Sequence, residues 1–209
     1  MFRSKNKVFC IGRNKTGTTS IKTALQKLGF KVGNQARAEM LMSDWSKRDF
    51  RRIIKYAKTA DAFQDVPFSL SYTYQALDAA FPESKFILTV RDSVDQWYES
   101  IIRFHTTIIG KNRLPTVEDL KNFQYRERGW VWKQQQIVYK ADESSLYDPD
   151  LYKAHYESHN EQVIDYFFHR KNDLLVLNIS EADAIKNLCA FLEKPWDGAQ
   201  MPHENTSRT

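Results

Sequence analysis

Cysteine is scarce in this chain of 209 residues, which has only Cys10 and Cys189. Two cysteines cannot form the disulfide framework of a small secreted domain or the four-ligand site of a structural zinc protein. Cys10 lies in an apolar run and Cys189 on an apolar helical face, so we expect both thiols to be packed in the core. This cysteine usage predicts a reduced, cytoplasmic protein.

Glycine and proline are also few, with 7 and 6 residues respectively, and the sequence has no internal repeat, linker or low-complexity segment. This composition excludes collagen-like chains and disorder rich in glycine and proline. Long apolar runs are missing as well, because the run that follows Lys7 is too short for a signal peptide or a membrane span. We therefore expect a protein without a membrane span.

A strong excess of one charge is lacking too. The chain has 31 Lys and Arg against 26 Asp and Glu, which gives a formal charge of +5. This mild positive balance favours anionic partners but is too weak to indicate nucleic acid, so we predict no nucleic-acid partner. The length of 209 residues suits one core, and we predict a single domain over residues 1–209.

Short apolar runs alternate with stretches of helical periodicity along the chain. The predicted strands are 8–11, 62–64, 85–90 and 174–179. The predicted helices are 21–28, 94–102, about 152–170 and 184–192. Apolar strands separated by helices predict an α/β fold, with a parallel sheet in three layers and helices on both faces.

Two segments fall outside this alternation. Residues 40–58 have a helical pattern with six cations, which indicates either a solvated helix face or a basic wall beside an anion site. Residues 106–150 are polar, aromatic and irregular, and insertions of this length are often lids or substrate caps. We predict that 106–150 forms a helical or irregular cap that contributes to a substrate site.

The stretch Gly12–Ser20 lies between the first predicted strand and the first predicted helix. A glycine-bearing loop there directs backbone N–H groups to one spot, and the helix N-terminus adds partial positive charge. The sequence therefore predicts a phosphate-binding loop. The spacing of Gly12 and Gly17 matches the Walker A loop of nucleoside triphosphatases, in which a lysine directly follows the second glycine. In this chain Thr18 stands at that position, and the lysine of the loop, Lys15, comes before Gly17.

The segment Lys15–Ser20 resembles the 5′-phosphosulfate-binding loop of the sulfotransferases, particularly the bacterial type. Further segments are similar to that family in the same order: Asp65–Pro67, Phe86–Asp92 with Trp97–Ser100, Phe191–Leu192, and Met201–Asn205. The resemblance implies a P-loop NTPase-like fold. It also implies 3′-phosphoadenosine 5′-phosphosulfate (PAPS) as the sulfuryl donor, the desulfated nucleotide PAP as the product, and no required metal.

The resemblance also implies roles for single residues. The 5′-phosphosulfate is expected to be bound by Arg13, Asn14, Lys15, Thr16, Gly17, Thr18, Thr19 and Ser20. The 3′-phosphate is expected to be bound by Arg91, by Ser100 or Ser93, and by Arg208. Two features depart from the family: its loop commonly begins with proline where this chain has Gly12, and its serine follows the arginine one residue sooner than Ser100 does.

Sulfuryl transfer, like phosphoryl transfer, depends on positioning and charge stabilisation. Lys15 is therefore expected to stabilise the leaving phosphate. A hydroxyl or amine acceptor must lose a proton, and the resemblance puts Asp65 at the position of the base, where burial would raise its pKa usefully. His105 is the alternative base, and Asp65 could instead cap its loop or orient Lys15. Trp196 is a candidate for stacking on adenine.

Three functions remain open at this point. The first is a PAPS-dependent sulfotransferase that acts on a small-molecule or glycan acceptor, and the intact Lys15 and Arg91 favour it. The second is a nucleotide kinase or NTPase on the same fold, which the missing lysine after Gly17 disfavours. The third is an inactive protein that binds PAP or another nucleotide. The sequence leaves the acceptor and the oligomeric state unknown, although the lack of a signal anchor favours an intracellular acceptor.

Overall fold

The computed structural model describes residues 6–202. Its strands are β1 (Val8–Cys10), β2 (Ala62–Gln64), β3 (Lys85–Val90) and β4 (Leu174–Asn178). Its α-helices are α1 (Thr18–Lys27), α2 (Gln35–Glu39), α3 (Met42–Ser46), α4 (Arg51–Ala57), α5 (Thr73–Ala80), α6 (Val94–Ile108), α7 (Val117–Asn122), α8 (Trp130–Gln134), α9 (Pro149–Tyr166) and α10 (Ala184–Phe191). A short π-helix, Gln135–Tyr139, continues directly from α8.

The four strands form one parallel sheet in the order β2-β1-β3-β4. Phe9 in β1 lies opposite Phe63 in β2 and Phe86 in β3, which fixes the register of the three neighbouring strands. Because parallel strands require crossover connections, the helices between them must cover the faces of the sheet. The predicted α/β fold with a parallel sheet is confirmed, and each predicted strand forms within one residue of its expected bounds.

One face of the sheet packs against α1 and α10 in a purely apolar cluster. All four strands, α1 and α10 contribute to it, and its buried members include Val8, Cys10, Ile21, Leu25, Ala62, Ile87, Leu177, Leu188 and Cys189. Both cysteines therefore lie in the core, as the sequence predicted. Burial raises the pKa of the Cys10 thiol to about 12, so this sulfur is an inert packing group.

The other face of the sheet is aromatic. The ring of Phe9 lies 5.9 Å from that of Phe63 and 5.6 Å from that of Phe86, measured between centroids. Phe167, just after α9, lies 4.9 Å from Phe86, and Tyr74 of α5 lies 6.3 Å from Phe167. Helical elements therefore cover both faces, and the predicted three layers are confirmed.

The chain divides into two compact units. The first comprises Met1–Arg91 with Gln162–Thr209 and contains the whole sheet; the second comprises Asp92–Glu161. The segment 106–150 lies in the second unit, where it forms short helices separated by turns. The single domain over 1–209 and the cap role of 106–150 stay predictions.

The second unit has an aromatic interior of its own. Trp97 stacks on Tyr156 at 4.5 Å, and Tyr139 stacks on Tyr152 at 4.3 Å, again between ring centroids. Aromatic pairs of this kind combine large buried area with a preferred geometry. Among the helices of residues 6–202, none combines the length and the apolar character that a membrane crossing requires.

The basic segment 40–58 is broken rather than continuous. Helix α3 ends at Ser46, α4 begins at Arg51, and Arg48 between them has a left-handed backbone with φ of 57°. A non-glycine residue in that region interrupts a right-handed helix. The helical pattern of this segment is therefore present as two short helices separated at Arg48.

Gly12 follows β1 at a point where the backbone lies directly against Thr89 of β3. A Cβ atom at residue 12 would clash with the Thr89 side chain and with its backbone. We expect Gly12→Ala to lower the free energy of unfolding by about 3 kcal/mol, since overpacking in a rigid core cannot relax easily. Urea denaturation of the purified variant measures this loss.

Gly29→Ala is the matched control. Gly29 has φ of 85° but no atom within 4 Å of the position that a Cβ would occupy. We expect it to cost only about 1 kcal/mol, the backbone strain of a left-handed alanine. Equal losses in both variants would contradict the close packing at Gly12.

Candidate active site

The loop between β1 and α1 is shaped by two close approaches. Gly17 has φ of 96° and is the N-cap of α1, where no side chain caps the helix. A Cβ on Gly17 would clash with the Ile179 side chain, which follows β4. Only glycine satisfies both the backbone angle and the lack of space. The N-terminus of α1 therefore lies directly against the apolar side chain of Ile179.

The base of the loop is held by buried hydroxyl groups. Thr16 donates its hydroxyl to the Arg13 carbonyl oxygen at 2.5 Å, and the Thr16 and Thr89 hydroxyl oxygens are also 2.5 Å apart. Both threonines are completely buried. Buried polar groups of this kind are costly unless they pair, so the pairing fixes the loop on the end of β3.

Arg13 also points into the protein. Its side chain is 2% exposed, and its guanidinium donates to the Ser69 carbonyl oxygen at 2.9 Å and to the Ser71 hydroxyl at 3.2 Å. These bonds attach the loop to the segment that follows β2. Thr16 and Arg13 were both predicted to bind the donor; the structure gives each a contact within the protein, and their part in donor binding stays a prediction.

Lys15 lies at the turn of the loop with φ of 67°. Arg91, which follows β3, donates its Nε–H to the Lys15 carbonyl oxygen at 2.7 Å. Burial lowers the pKa of the Lys15 ammonium to about 8; the positive charge of Arg91 acts in the same direction, and the Asp65 carboxylate opposes it. The loop therefore carries a partly desolvated cation that a bound anion would stabilise.

Asp65 follows β2 and meets the first residue of α1. Its Oδ2 accepts a hydrogen bond from the Thr18 hydroxyl at 3.2 Å, and its Oδ1 accepts from the Val66 N–H at 2.8 Å. The carboxyl ends of adjacent parallel strands thus bring Lys15, Thr18, Asp65 and Arg91 to one edge of the sheet. Ligands of open α/β sheets bind at this edge.

A family model described as a sulfotransferase domain matches residues 7–209. The chain belongs to the sulfotransferase family. A search of curated proteins gave no match. The family match extends over both compact units. It includes the three segments that resemble the family in sequence, namely the loop, the Asp65 segment and the strand before Arg91.

The remaining predicted residues of this sulfotransferase divide between its two units. In the first unit, Asn14 is half-buried, Thr19 is exposed and Ser20 is fully buried at the start of α1. Trp196 is 47% exposed and donates its Nε1–H to the Ala199 carbonyl oxygen at 3.0 Å. Arg208 lies outside the described residues.

The predicted serines and the alternative base lie in the second unit of the sulfotransferase, each with a local contact. Ser93 caps α6 by accepting from the Gln96 N–H at 3.1 Å, and Ser100 donates to the Gln96 carbonyl oxygen at 2.8 Å. His105 is buried, with its Nδ1 2.8 Å from the Tyr147 hydroxyl. Their roles stay predictions, as does the part of Asp65 in proton transfer.

Thr89 is the residue of the sulfotransferase site that sequence reasoning missed. It occupies the one polar position in the otherwise apolar β3 after Lys85, and that interruption was the available signal. Its role is to anchor the loop through Gly12 and Thr16. Among the described residues, no cluster of His, Cys, Asp and Glu has the geometry of a metal site.

The desolvated charge of Lys15 has a consequence for the stability of the sulfotransferase without ligand. The folded-state pKa of Lys15, about 8, lies below its ordinary value of 10.5. The unfolded chain therefore holds this proton more tightly, and the folded state is penalised below pH 8. We expect Lys15→Met to raise the melting temperature at pH 7 by roughly 2–6 °C.

This gain should shrink as the pH rises from about 8 to 10.5, because the wild-type lysine then loses its proton in the folded state first. Thermal unfolding across that pH range measures the effect. Lys58→Met, at an exposed position, is the control and should change little at any pH. A loss of stability in Lys15→Met at pH 7 would contradict the desolvated cation.

Proposed function

We propose that this sulfotransferase uses PAPS as its sulfuryl donor and transfers the group to a hydroxyl or amine. The observation that carries the proposal is the convergence of Lys15, Asp65 and Arg91 around the loop at the carboxyl edge of the sheet. PAPS would supply the activated sulfuryl group, and PAP would be released. The residues of this chain would bind the donor, stabilise the charge on the leaving phosphate and remove the proton of the acceptor.

The 5′ end of the donor fits the loop between β1 and α1. Gly17 has no side chain above the Ile179 floor, and α1 begins without a side-chain cap. Backbone N–H groups at an uncapped helix start carry partial positive charge and attract phosphate. Asn14, Thr18, Thr19 and Ser20 add side-chain polar groups, while Thr16 and Arg13 would act mainly by holding the loop in shape.

Arg91 would serve two purposes in this proposal. Its Nε already donates to the Lys15 carbonyl oxygen at 2.7 Å, so 3′-phosphate binding would use the terminal guanidinium nitrogens. The same side chain would then link donor binding to the position of Lys15. Ser100 or Ser93 and Arg208 are the proposed further ligands of the 3′-phosphate.

Lys15 would stabilise the charge that develops on the leaving phosphate. Its pKa of about 8 means that the cation is already desolvated before the donor arrives, so its field is less screened by water. An anionic donor would raise that pKa again and keep the lysine charged during transfer. Because a sulfuryl group carries less charge than a terminal phosphoryl group, the proposed reaction requires no metal.

Asp65 would take the proton of the acceptor. Hydrogen bonds from Thr18 and from the Val66 N–H hold the carboxylate next to the loop, and this position beside the proposed donor site supports the role of base. The same contacts would suit a residue that orients Lys15. The acceptor is proposed to be a small molecule or a glycan, with the segment 106–150 contributing to its site.

Calorimetric titration with PAP tests the donor. We expect PAP to bind without Mg²⁺, and we expect Lys15→Ala and Arg91→Ala each to weaken binding about 10-fold to 100-fold, the scale of a charge-assisted contact. Lys22→Ala, on α1 but outside the loop, is the control and should bind PAP normally.

Mg-ATP is the competing ligand in the same experiment. Binding of ATP that depends on Mg²⁺, with no binding of PAP, would overturn the proposal in favour of a kinase or NTPase. PAP binding without turnover of PAPS against any acceptor would favour an inactive nucleotide-binding protein.

Asp65→Asn separates the two roles proposed for the carboxylate. A base should be needed for turnover but not for donor binding, so we expect turnover to fall by about 10²-fold to 10⁴-fold with little change in PAP affinity. A parallel fall in PAP affinity would instead indicate that Asp65 orients Lys15. His105→Gln provides the comparison, and a larger loss of turnover there would reassign the base.

A further inference from the structure

The first unit contains a second cationic feature, next to the segment 69–72 that Arg13 contacts. Trp45 of α3 donates its Nε1–H to the Ser71 carbonyl oxygen at 2.8 Å. The guanidinium carbon of Arg48 lies 4.2 Å from the centre of the Tyr72 ring and 5.0 Å from that of Trp45. Arg48, Tyr72 and Trp45 are called the arginine platform below.

The guanidinium of the arginine platform is held by ring contacts alone. Stacking uses the faces of a guanidinium and leaves its edge N–H groups pointing outward, the arrangement that binds carboxylate, sulfate or phosphate with two parallel hydrogen bonds. Within residues 6–202, the Arg48 guanidinium forms neither a hydrogen bond nor an ion pair, whereas its backbone N–H donates to the Trp45 carbonyl oxygen at 2.8 Å. Its donors are therefore preorganised and unused.

The neighbouring arginines behave differently. Arg51 is paired with Asp49 at 2.6 Å, and Arg52 is paired with Asp44 at 3.0 Å. Both carboxylates of segment 40–58, Asp44 and Asp49, are therefore paired with arginines other than Arg48. The exposed Lys47 forms no ion pair with any described residue, so the surface around the platform keeps a positive charge.

The backbone adds a second observation. Arg48 has φ of 57° and Tyr72 has φ of 66°, so both partners of the stack adopt a left-handed conformation that ordinary side chains avoid. Backbone strain of this kind is often found at functional sites. Tyr72 is also 44% exposed, although it is a large aromatic residue.

The platform is connected to the donor loop through four residues of chain. Arg13 in the loop bonds to the carbonyl of Ser69 and to the hydroxyl of Ser71, while Trp45 bonds to the carbonyl of Ser71 and Tyr72 follows. One short segment therefore contacts the loop on one side and carries the platform on the other.

We propose that the arginine platform binds the acidic group of the acceptor, a carboxylate, sulfate or phosphate ester, and so makes this sulfotransferase selective for anionic acceptors. This inference rests on the proposed function for the word acceptor, but the anion site itself does not depend on it. Arg48 would form the paired hydrogen bonds, and Tyr72 would keep the guanidinium in place and contact an adjoining ring.

Phenyl β-D-glucuronide and phenyl β-D-glucoside are suitable probes, because they share both rings and differ in the carboxylate. We expect the glucuronide to bind at least about tenfold more tightly than the glucoside, and Arg48→Gln to remove that preference. Titration is followed by NMR of the arginine Nε–H groups and by calorimetry, with and without saturating PAP.

Four variants separate a built site from general attraction to positive charge. Arg48→Lys keeps the charge but loses the planar fork, so it should lose about fivefold or more of the glucuronide affinity. Arg51→Gln removes a neighbouring exposed charge and should have less than a twofold effect. Tyr72→Phe should bind normally, whereas Tyr72→Ala should weaken binding.

Equal effects of Arg48→Gln and Arg51→Gln, full affinity in Arg48→Lys, or no preference of the wild type for the glucuronide would each overturn the platform. PAP affinity is measured on the same samples and should be unchanged in Arg48→Gln. Loss of PAP binding in the wild type would overturn the proposed donor while leaving the glucuronide comparison intact, so the two failures are distinguishable.

Discussion

The contact between Thr16 and Thr89 is the constraint on which the site depends. Two buried hydroxyl groups lie 2.5 Å apart at the point where the loop turns away from the sheet. Gly12 can approach β3 only because it has no side chain, and that approach allows the hydroxyls to meet. Lys15 directly precedes Thr16 in this loop, and its carbonyl oxygen accepts a hydrogen bond from the Arg91 Nε–H. The backbone position of Lys15 is therefore set by two contacts, the Thr16–Thr89 pair and the hydrogen bond from Arg91.

The electrostatics of the site follow from that arrangement. A lysine set among buried groups and beside Arg91 is poorly solvated, and the Asp65 carboxylate compensates for part of this cost. A further anion bound beside Lys15 would lower the remaining cost of the buried charge. Stability is lower at this point so that binding can be stronger, which is a common compromise at functional sites.

Much of the fold could be predicted from the sequence, because parallel strands buried on both faces are unbroken apolar runs. Strand β3, for example, is apolar from Phe86 to Leu88, and the glycine loop stands between the first such run and a helix. The family was equally accessible, since the residues of the loop are contiguous. Lys15 and Asp65 were identified through the resemblance to the sulfotransferases, and their meeting at one edge follows from the parallel order of the strands.

What could not be predicted depends on contacts between distant segments. Nothing local indicates that Arg13 turns inward to Ser69, or that Arg91 donates to the Lys15 carbonyl oxygen. The break at Arg48 also escapes a helical pattern, because its stacking partner Tyr72 lies in another part of the chain. The division after Arg91 is a property of packing and has no signature in composition.

The close approach of Gly17 to Ile179 has a consequence for folding during synthesis. The loop belongs to the opening βα unit, whereas Ile179 follows β4, the strand that joins the sheet last in chain order. During synthesis the loop residues therefore emerge early, but the contact between Gly17 and Ile179 cannot form until β4 has emerged and paired with β3. Pairing over such a separation is slow compared with local helix formation. The loop between β1 and α1 therefore reaches its final surroundings late, only after the last strand of the sheet in chain order is in place.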